Sequence, residues 1–169
     1  SGQTATVAQV LSATRQPGPV QAGHSAGIVL DREVDVSRGD WLLAVAPKAA
    51  AKEDEFDTEV NPGIFNPSRE LKATVAWMDD EPLVAGRVYW ALHGHRWIKA
   101  KIKRIVHKLD INTLAEEDAS QLDANAIGHV ELTLQEAIAT LPYQQSRVLG
   151  SLILVDTASH KTAGAVLIN

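Results

Sequence analysis

The chain has 169 residues, of which 45% are hydrophobic and 22% charged, a balance typical of globular proteins. Sixteen Lys plus Arg against twenty-one Asp plus Glu give a net charge of −5, which disfavours nucleic acid as the main partner. With no cysteine, disulfides and thiolate metal ligands are excluded, and a reducing cytoplasm is the expected location. No uncharged apolar run approaches the roughly 18 residues of a membrane span, so no membrane partner is expected.

Alternation of apolar and polar residues with period two runs through most of the chain. It is strict over 98–103 and slips at Arg104-Ile105, which predicts a bulge or a strong bend there. The other predicted strands are Ala5–Leu11, Ala26–Leu30, Trp41–Ala46, Leu71–Met78, Arg87–Leu92, Gly128–Leu134, Arg147–Val155 and Thr162–Ile168. Short strands rich in Val, Ile and Thr, separated by Gly, Pro, Asn and Asp, predict an all-β barrel or sandwich.

One short helical turn is predicted, because Thr113 and Glu116 have the spacing of a capping box and the turn could continue to Leu122. A change of composition divides the chain. Residues 47–69 are rich in Ala, Lys, Glu and Asp and are broken by two Asn-Pro steps, so this segment is predicted to be a linker or an excursion. The segment after it, about 100 residues, is long enough for one barrel.

The sequence Gly23-His24-Ser25-Ala26-Gly27 fits the G-x-S-x-G elbow that carries the nucleophile of serine hydrolases. Such an elbow follows an apolar strand and precedes a helix. Here a Pro-rich and Gly-rich segment precedes it and a short β-branched run follows. A serine hydrolase using Ser25 is therefore the weakest alternative function, and a turn entering a strand is expected.

Two further motifs have a functional and a structural interpretation. His93 and His95 flank Gly94 and could form a metal pair, but a hairpin turn explains the same residues. The basic side chains of 96–108 could bind phosphate, but the parity of the lysines is that of a solvated or protein-docking strand face. The chain has no G-x-x-x-x-G-K-[S/T] phosphate loop. We therefore expect no catalytic, cofactor-binding or metal-binding residue in it.

Three groups of segments together resemble one superfamily, the translation-factor GTPases. The segments Val20–Leu30 and Val34–Asp40 resemble the close of domain two of those proteins, and Asn125–Leu132 with Gly150–Asp156 and Thr162–Ala165 is similar to their closing barrel. The resemblance implies an all-β fold with residues 1–46 as the C-terminal half of a domain-two-like barrel, 47–70 as a linker or excursion, and 71–169 as an elongation-factor domain-three-like barrel.

Two narrower motifs point to one branch of that superfamily. The strand Val75-Ala76-Trp77-Met78 and the segment Asp110–Leu114 resemble the large GTP-binding subunit of bacterial sulfate adenylyltransferase. The resemblance implies a cytoplasmic nucleotidyltransferase of sulfate assimilation. In it a GTPase domain upstream of this chain holds GTP and Mg²⁺, and a small ATP-binding subunit forms adenosine 5′-phosphosulfate.

On that interpretation the chain is a docking and coupling piece, non-catalytic by itself, whose partners are the small subunit and its own upstream GTPase domain. The barrels would act as levers that move with the GTPase domain. Trp77, Trp90 and Trp97 are expected in or beside the core or a docking surface. The principal alternative is the tRNA-facing barrel of an elongation-factor-like GTPase.

Overall fold

The computed structural model describes residues 3–45 and 67–169, and within these ranges all regular secondary structure is β-strand. Among these residues no helix has the length and apolar character needed to cross a membrane. The chain divides into two compact units, Ser1–Ser37 and Arg38–Asn169. Most of the predicted linker, residues 47–66, lies outside the described residues.

The first unit contains one antiparallel pair of strands. Strand β1 is Val7–Leu11 and β2 is Gly27–Leu30, with Val10 opposite Ile28 and a bulge after Val7. Both strands expose most of their side chains. The assignment of residues 1–46 to half of a domain-two-like barrel stays a prediction.

The second unit contains a closed antiparallel barrel. Its strands in chain order are β3 Ser68–Trp77, β4 Leu83–Val84, β5 Val88–His93, β6 Arg96–Leu109, β7 Glu116–Glu117, β8 Gln121–Leu122, β9 Ile127–Ile138, β10 Ser151–Val155 and β11 Thr162–Ile168. Around the barrel the order is β5, β10, β11, β3, β9 and β6, and β6 pairs back with β5. The short β7 extends the sheet beside the end of β6, and β4 pairs with β8. The predicted all-β fold with a closing barrel is confirmed.

The barrel interior follows directly from the period-two pattern. Along β9 the residues Gly128, Val130, Leu132 and Leu134 are buried, and the residues between them are partly exposed. The same alternation fills the interior from the other strands, with Trp77 the largest fully buried side chain. The Trp77 indole meets the Tyr89 ring edge-on at 5.4 Å and donates from Nε1 to the Glu81 carbonyl oxygen at 2.8 Å. Its one polar atom is thereby satisfied.

Strand β6 carries the bulge that the sequence predicted, and a second one. The register with β9 shifts between Ile102 and Arg104 and again between Ile105 and His107. Each shift adds one residue to β6 relative to β9, which returns the side-chain alternation to the correct face of the barrel. The inward residues Ile102 and Ile105 are three apart for this reason.

The short helical turn predicted through Leu122 is wrong. Asp110 Oδ1 accepts hydrogen bonds from the amides of Asn112 and Thr113 and from the Thr113 hydroxyl, which lowers the pKa of Asp110, the Thr113 amide contributing most. Leu114 then takes a left-handed φ of 59°, so the chain reverses and Glu116 pairs with β6. Thr113 is therefore part of a tight turn that begins at Asp110, and it does not cap a helix.

Two predicted strands also differ from the structure. Residues 41–45 form no strand, because Trp41 packs its ring on Gly94 in the β5–β6 turn and no strand within the described ranges pairs with its backbone. Residues 147–150 form a turn, and β10 begins at Ser151. There the backbone of Gly150 passes so close to Tyr143 that a Cβ at 150 would lie 2.4 Å from the Tyr143 Cα.

Candidate docking surface

Ser25 does not sit on a nucleophile elbow. It is exposed in the connection before β2, and strand rather than helix follows it. The shallow cavity beside it, of about 390 Å³, is lined by Leu11, Ser12, Ala13, Arg15, Ala26 and Gly27. None of these side chains can act as a general base toward the hydroxyl, so the described lining of this cavity supplies no partner for serine catalysis.

His93 and His95 are separated by the hairpin turn rather than brought together. Gly94 takes a φ of +60° as the first residue of the two-residue turn between β5 and β6, so the structural interpretation of this motif is confirmed. His93 points into the barrel, is 1% exposed and donates from Nε2 to the Leu149 carbonyl oxygen at 3.1 Å. Burial lowers its pKa, while the bond to Leu149 acts in the opposite direction. His95 is exposed.

The basic side chains of β6 are largely paired with carboxylates of neighbouring segments. The ion pairs are Arg96 with Asp40 and Glu136, Lys103 with Glu70, Arg104 with Glu131, and Lys108 with Glu117. Hydrogen bonds from Thr133 and then Lys103 lower the pKa of Glu70. The result is a neutralised ladder of charges on the outer wall, which leaves little free positive charge for a phosphate backbone.

The outer wall also carries an apolar row that crosses four adjacent strands. Trp97 on β6 stands opposite Leu92 on β5, Leu92 opposite Ile153 on β10, and Ile153 opposite Ala165 on β11. Trp97 is 53% exposed and Ile153 41%, and Leu92 is half-buried between them. Contiguous exposed apolar patches are typical of surfaces that bind another molecule.

Val88 and Trp90 extend this row along β5, and two basic residues border it. Trp90 is half-buried next to Leu92, with the Lys99 ammonium 5.2 Å from its ring centroid, and Val88 stands opposite Lys101. Aromatic residues ringed by charge are typical of the centre and rim of protein interfaces. We call the set Val88, Trp90, Leu92, Trp97, Ile153 and Ala165 the outer apolar row.

The three tryptophans singled out from the sequence therefore have different roles. Trp77 is a core residue, Trp97 an exposed surface residue, and Trp90 lies between the two, as the sequence interpretation allowed. Leu92 and Ile153 were not singled out, because only the strand pairing places them beside Trp97.

A cluster of three polar side chains on the outer wall was likewise not predicted from the sequence. His107, Glu116 and His129 come from β6, β7 and β9, and their ligand atoms lie within 4.8 Å of one another. No sequence motif connects them, since 21 positions of chain separate the two histidines.

The fold is that of a barrel of the translation-factor type. The profile of the GTP-eEF1A C-terminal domain-like family matches residues 70–169, and the chain belongs to that family. Solved structures of sup35 with GDP and with GMPPNP superpose with TM-scores of 0.71 and 0.68 over 98% of this chain, at 12% and 14% identity. The superpositions cover 37% and 38% of the two sup35 chains. At such low identity the similarity shows the fold alone.

Two curated relatives are similar to nearly the whole of this chain. The chain is 34% identical over 165 residues to the bifunctional enzyme CysN/CysC of Xylella fastidiosa and 33% identical over 168 residues to sulfate adenylyltransferase subunit 1 of Salmonella typhi. The alignments cover 98% and 99% of this chain but 24% and 32% of the relatives' lengths. The resemblance recognised from the sequence is confirmed.

Proposed function

We propose that this chain is the C-terminal barrel region of a sulfate adenylyltransferase GTPase subunit and that it docks and couples rather than catalyses. The observation that carries the proposal is the alignment to sulfate adenylyltransferase subunit 1, which runs over 99% of the chain. In the whole protein, GTP hydrolysis in another domain would drive formation of adenosine 5′-phosphosulfate from ATP and sulfate on a smaller subunit. The complex would work in the cytoplasm.

The chain's own residues favour a mechanical role. A closed barrel has no free edge in its main sheet and is a stiff body. A body of this kind can transmit the reorientation of an attached GTPase domain to a partner that binds its outer wall. The outer apolar row supplies a surface of the right chemistry, because its residues are exposed or half-buried and its rim carries Lys99 and Lys101.

Nucleotide binding belongs elsewhere in this proposal. The chain has no phosphate loop, and neither of the two described cavities contains the Gly-rich backbone cradle and lysine that hold GTP phosphates and their Mg²⁺. Neither of these two cavities fits GTP, so the proposal assigns no catalytic step to the residues that line them.

Binding of the small ATP-binding subunit by this chain tests the proposal. We expect Ile153→Glu, which places a charge in the centre of the outer apolar row, to weaken that binding at least about tenfold, as a buried unpaired charge at an interface does. Ile111→Glu is the matched control, because Ile111 is 67% exposed in the turn after β6 and lies outside the row. Isothermal titration with each variant measures the effect.

Three outcomes distinguish docking through the outer apolar row, docking through another surface and no docking. Loss of binding with Ile153→Glu alone supports docking through the row. Equal binding by all three proteins contradicts the assignment of the row, and no binding by any of them contradicts the docking function. The competing tRNA-binding function predicts instead tight, strongly salt-dependent binding of tRNA at low salt.

A further inference from the structure

Three potential metal ligands meet on one face of the barrel wall. His107 is on β6, His129 is its direct cross-strand partner on β9, and Glu116 on β7 stands opposite Leu109, two residues beyond His107. Residues two apart on a strand share a face. All three side chains therefore extend from the outer surface of three adjacent strands.

The second bulge of β6 creates this arrangement. The register shifts between Ile105 and His107, so that Ile105 stands opposite Val130 and His107 opposite His129. Without the extra residue Val106, the outward position opposite His129 would not fall on the histidine. The bulge thus places the imidazole of His107 over the outer wall.

One ligand distance already matches that of a mononuclear site, and the others are close to it. The His107 Nε2 is 3.3 Å from the Glu116 Oε1, and the two imidazole rings meet at 4.5 Å with an angle of 64°. In a tetrahedral zinc site with bonds of roughly 2.0–2.1 Å, ligand atoms are separated by about 3.3–3.4 Å. One pair already has that separation, and side-chain rotation brings the third ligand in from at most 4.8 Å.

The polar atom at the centre of the cluster lacks a hydrogen bond. The His107 Nε2 is buried and, among the described residues, has no partner in hydrogen-bond geometry. Glu116 Oε1 is close to it but off the direction that a hydrogen bond requires. Native proteins rarely leave a buried nitrogen unsatisfied, and a bound ion would satisfy it.

The surroundings leave room for a solvent ligand. A shallow cavity of about 220 Å³ borders both histidines, and its wall includes Lys72, Arg104 and Glu131. The charge of Arg104 is paired with Glu131 at 2.8 Å, and that of Lys108 with Glu117 at 3.8 Å, so the nearest cations of β6 have carboxylate partners of their own. Glu116 is 67% exposed and can turn toward an ion without steric hindrance.

We propose that His107, Glu116 and His129 bind one divalent transition-metal ion of the zinc class, with water as the fourth ligand. Two imidazoles and one carboxylate suit Zn²⁺, whereas Mg²⁺ and Ca²⁺ prefer ligand sets made of oxygen. The ion would join β7 to the barrel strands β6 and β9. It is a site for which the sequence alone nominates no ligand.

Titration of the chain with ZnCl₂ by calorimetry, and with CoCl₂ by visible absorption, tests the proposal. We expect one ion per chain and the intense absorption of four-coordinate Co²⁺. Replacing any of the three ligands, by His107→Ala, His129→Ala or Glu116→Gln, should weaken binding more than about tenfold. His95→Ala is the matched control, since His95 is exposed and outside the cluster.

Thermal unfolding with and without Zn²⁺ gives a second readout, because an ion that binds only the folded chain raises the melting temperature. The rise should vanish with Glu116→Gln, an exposed and nearly isosteric change that leaves the fold intact. If the wild-type chain binds no Zn²⁺, or if Glu116→Gln and His129→Ala bind it as tightly as His95→Ala, the site does not exist.

Discussion

At the scale of single residues, His93 shows how one buried side chain couples stability to pH. Its Nε2 donates to a carbonyl, so its Nδ1 is the acceptor of the neutral ring, and this atom is buried without a partner among the described residues. Protonation there would place a charged donor in the core with nothing to bind it. For this reason burial lowers the pKa of His93.

The direction of this shift predicts that acid destabilises the chain. The unfolded chain takes up a proton on His93 near its ordinary pKa, about 6.5, while the folded chain does not, so the free energy of unfolding falls as pH drops below that value. One such group contributes a slope of at most about 1.4 kcal/mol per pH unit. Urea unfolding of the wild type and of His93→Leu between pH 7.5 and 5.5 measures it.

Comparing how steeply the free energy of unfolding changes with pH in each variant separates the contribution of His93 from those of the other five histidines. We expect a flatter pH dependence for His93→Leu, whatever its absolute stability. His95→Leu, in the exposed turn, is the matched control. An unchanged slope in His93→Leu would mean that the buried imidazole is not the group being titrated.

At the scale of elements, Trp41 joins the segment before the undescribed residues 46–66 to the β5–β6 hairpin. Trp41 lies over Gly94 and is 5.8 Å from the His93 ring, centroid to centroid. A Cβ at Gly94 would lie 2.6 Å from the Trp41 Cζ2, and the φ of +60° is unfavourable for any side chain. Glycine is required here for two separate reasons.

A double-mutant cycle separates those two reasons. Gly94→Ala should cost about 1–2 kcal/mol for the left-handed backbone and a further 1–3 kcal/mol or so for the clash. In a Trp41→Ala background the clash disappears and only the backbone cost remains. Denaturant unfolding of the four proteins measures the coupling. Equal costs of Gly94→Ala in both backgrounds would contradict the Trp41 contact.

A comparison of the predicted and observed strands and turns shows how far secondary structure could be predicted from the sequence. Strand β11 has the predicted bounds, Thr162–Ile168, because turn residues precede it and most of its residues alternate between a buried and a partly exposed face. The capping-box spacing at Thr113 led to the wrong prediction of a helical turn. The same residue types form a tight turn when Asp110 precedes them. The strand predicted at Trp41 failed because an apolar run does not by itself supply a neighbouring strand to pair with.

At the scale of the whole molecule, closure makes each of the six barrel strands necessary. Strand β11 lies between β10 and β3 and contributes buried Val166 and Ile168 to the interior. Its removal exposes two edges and the core together. We therefore predict that a chain ending at Lys161 loses its cooperative unfolding transition, measured by circular dichroism and calorimetry.

Removal of Asn169 alone is the control for that truncation. It deletes one backbone hydrogen bond to Lys72 and a side-chain bond with Thr74, each about 3.0 Å long. Such exposed bonds contribute about 0.5–1.5 kcal/mol each, so the transition should persist at a slightly lower temperature. A sharp transition in the chain ending at Lys161 would contradict the view that closure stabilises this barrel.

The sequence by itself determined the fold class, the inward and outward faces of most strands, and the family, because alternation and short motifs are local. Tertiary structure alone decided which outward residues become neighbours. Trp97, Leu92 and Ile153, and likewise His107, Glu116 and His129, are joined by strand order and by the second bulge of β6. The period of a strand fixes which face a residue occupies but not which strand lies beside it, so neither surface could be read before the barrel was closed.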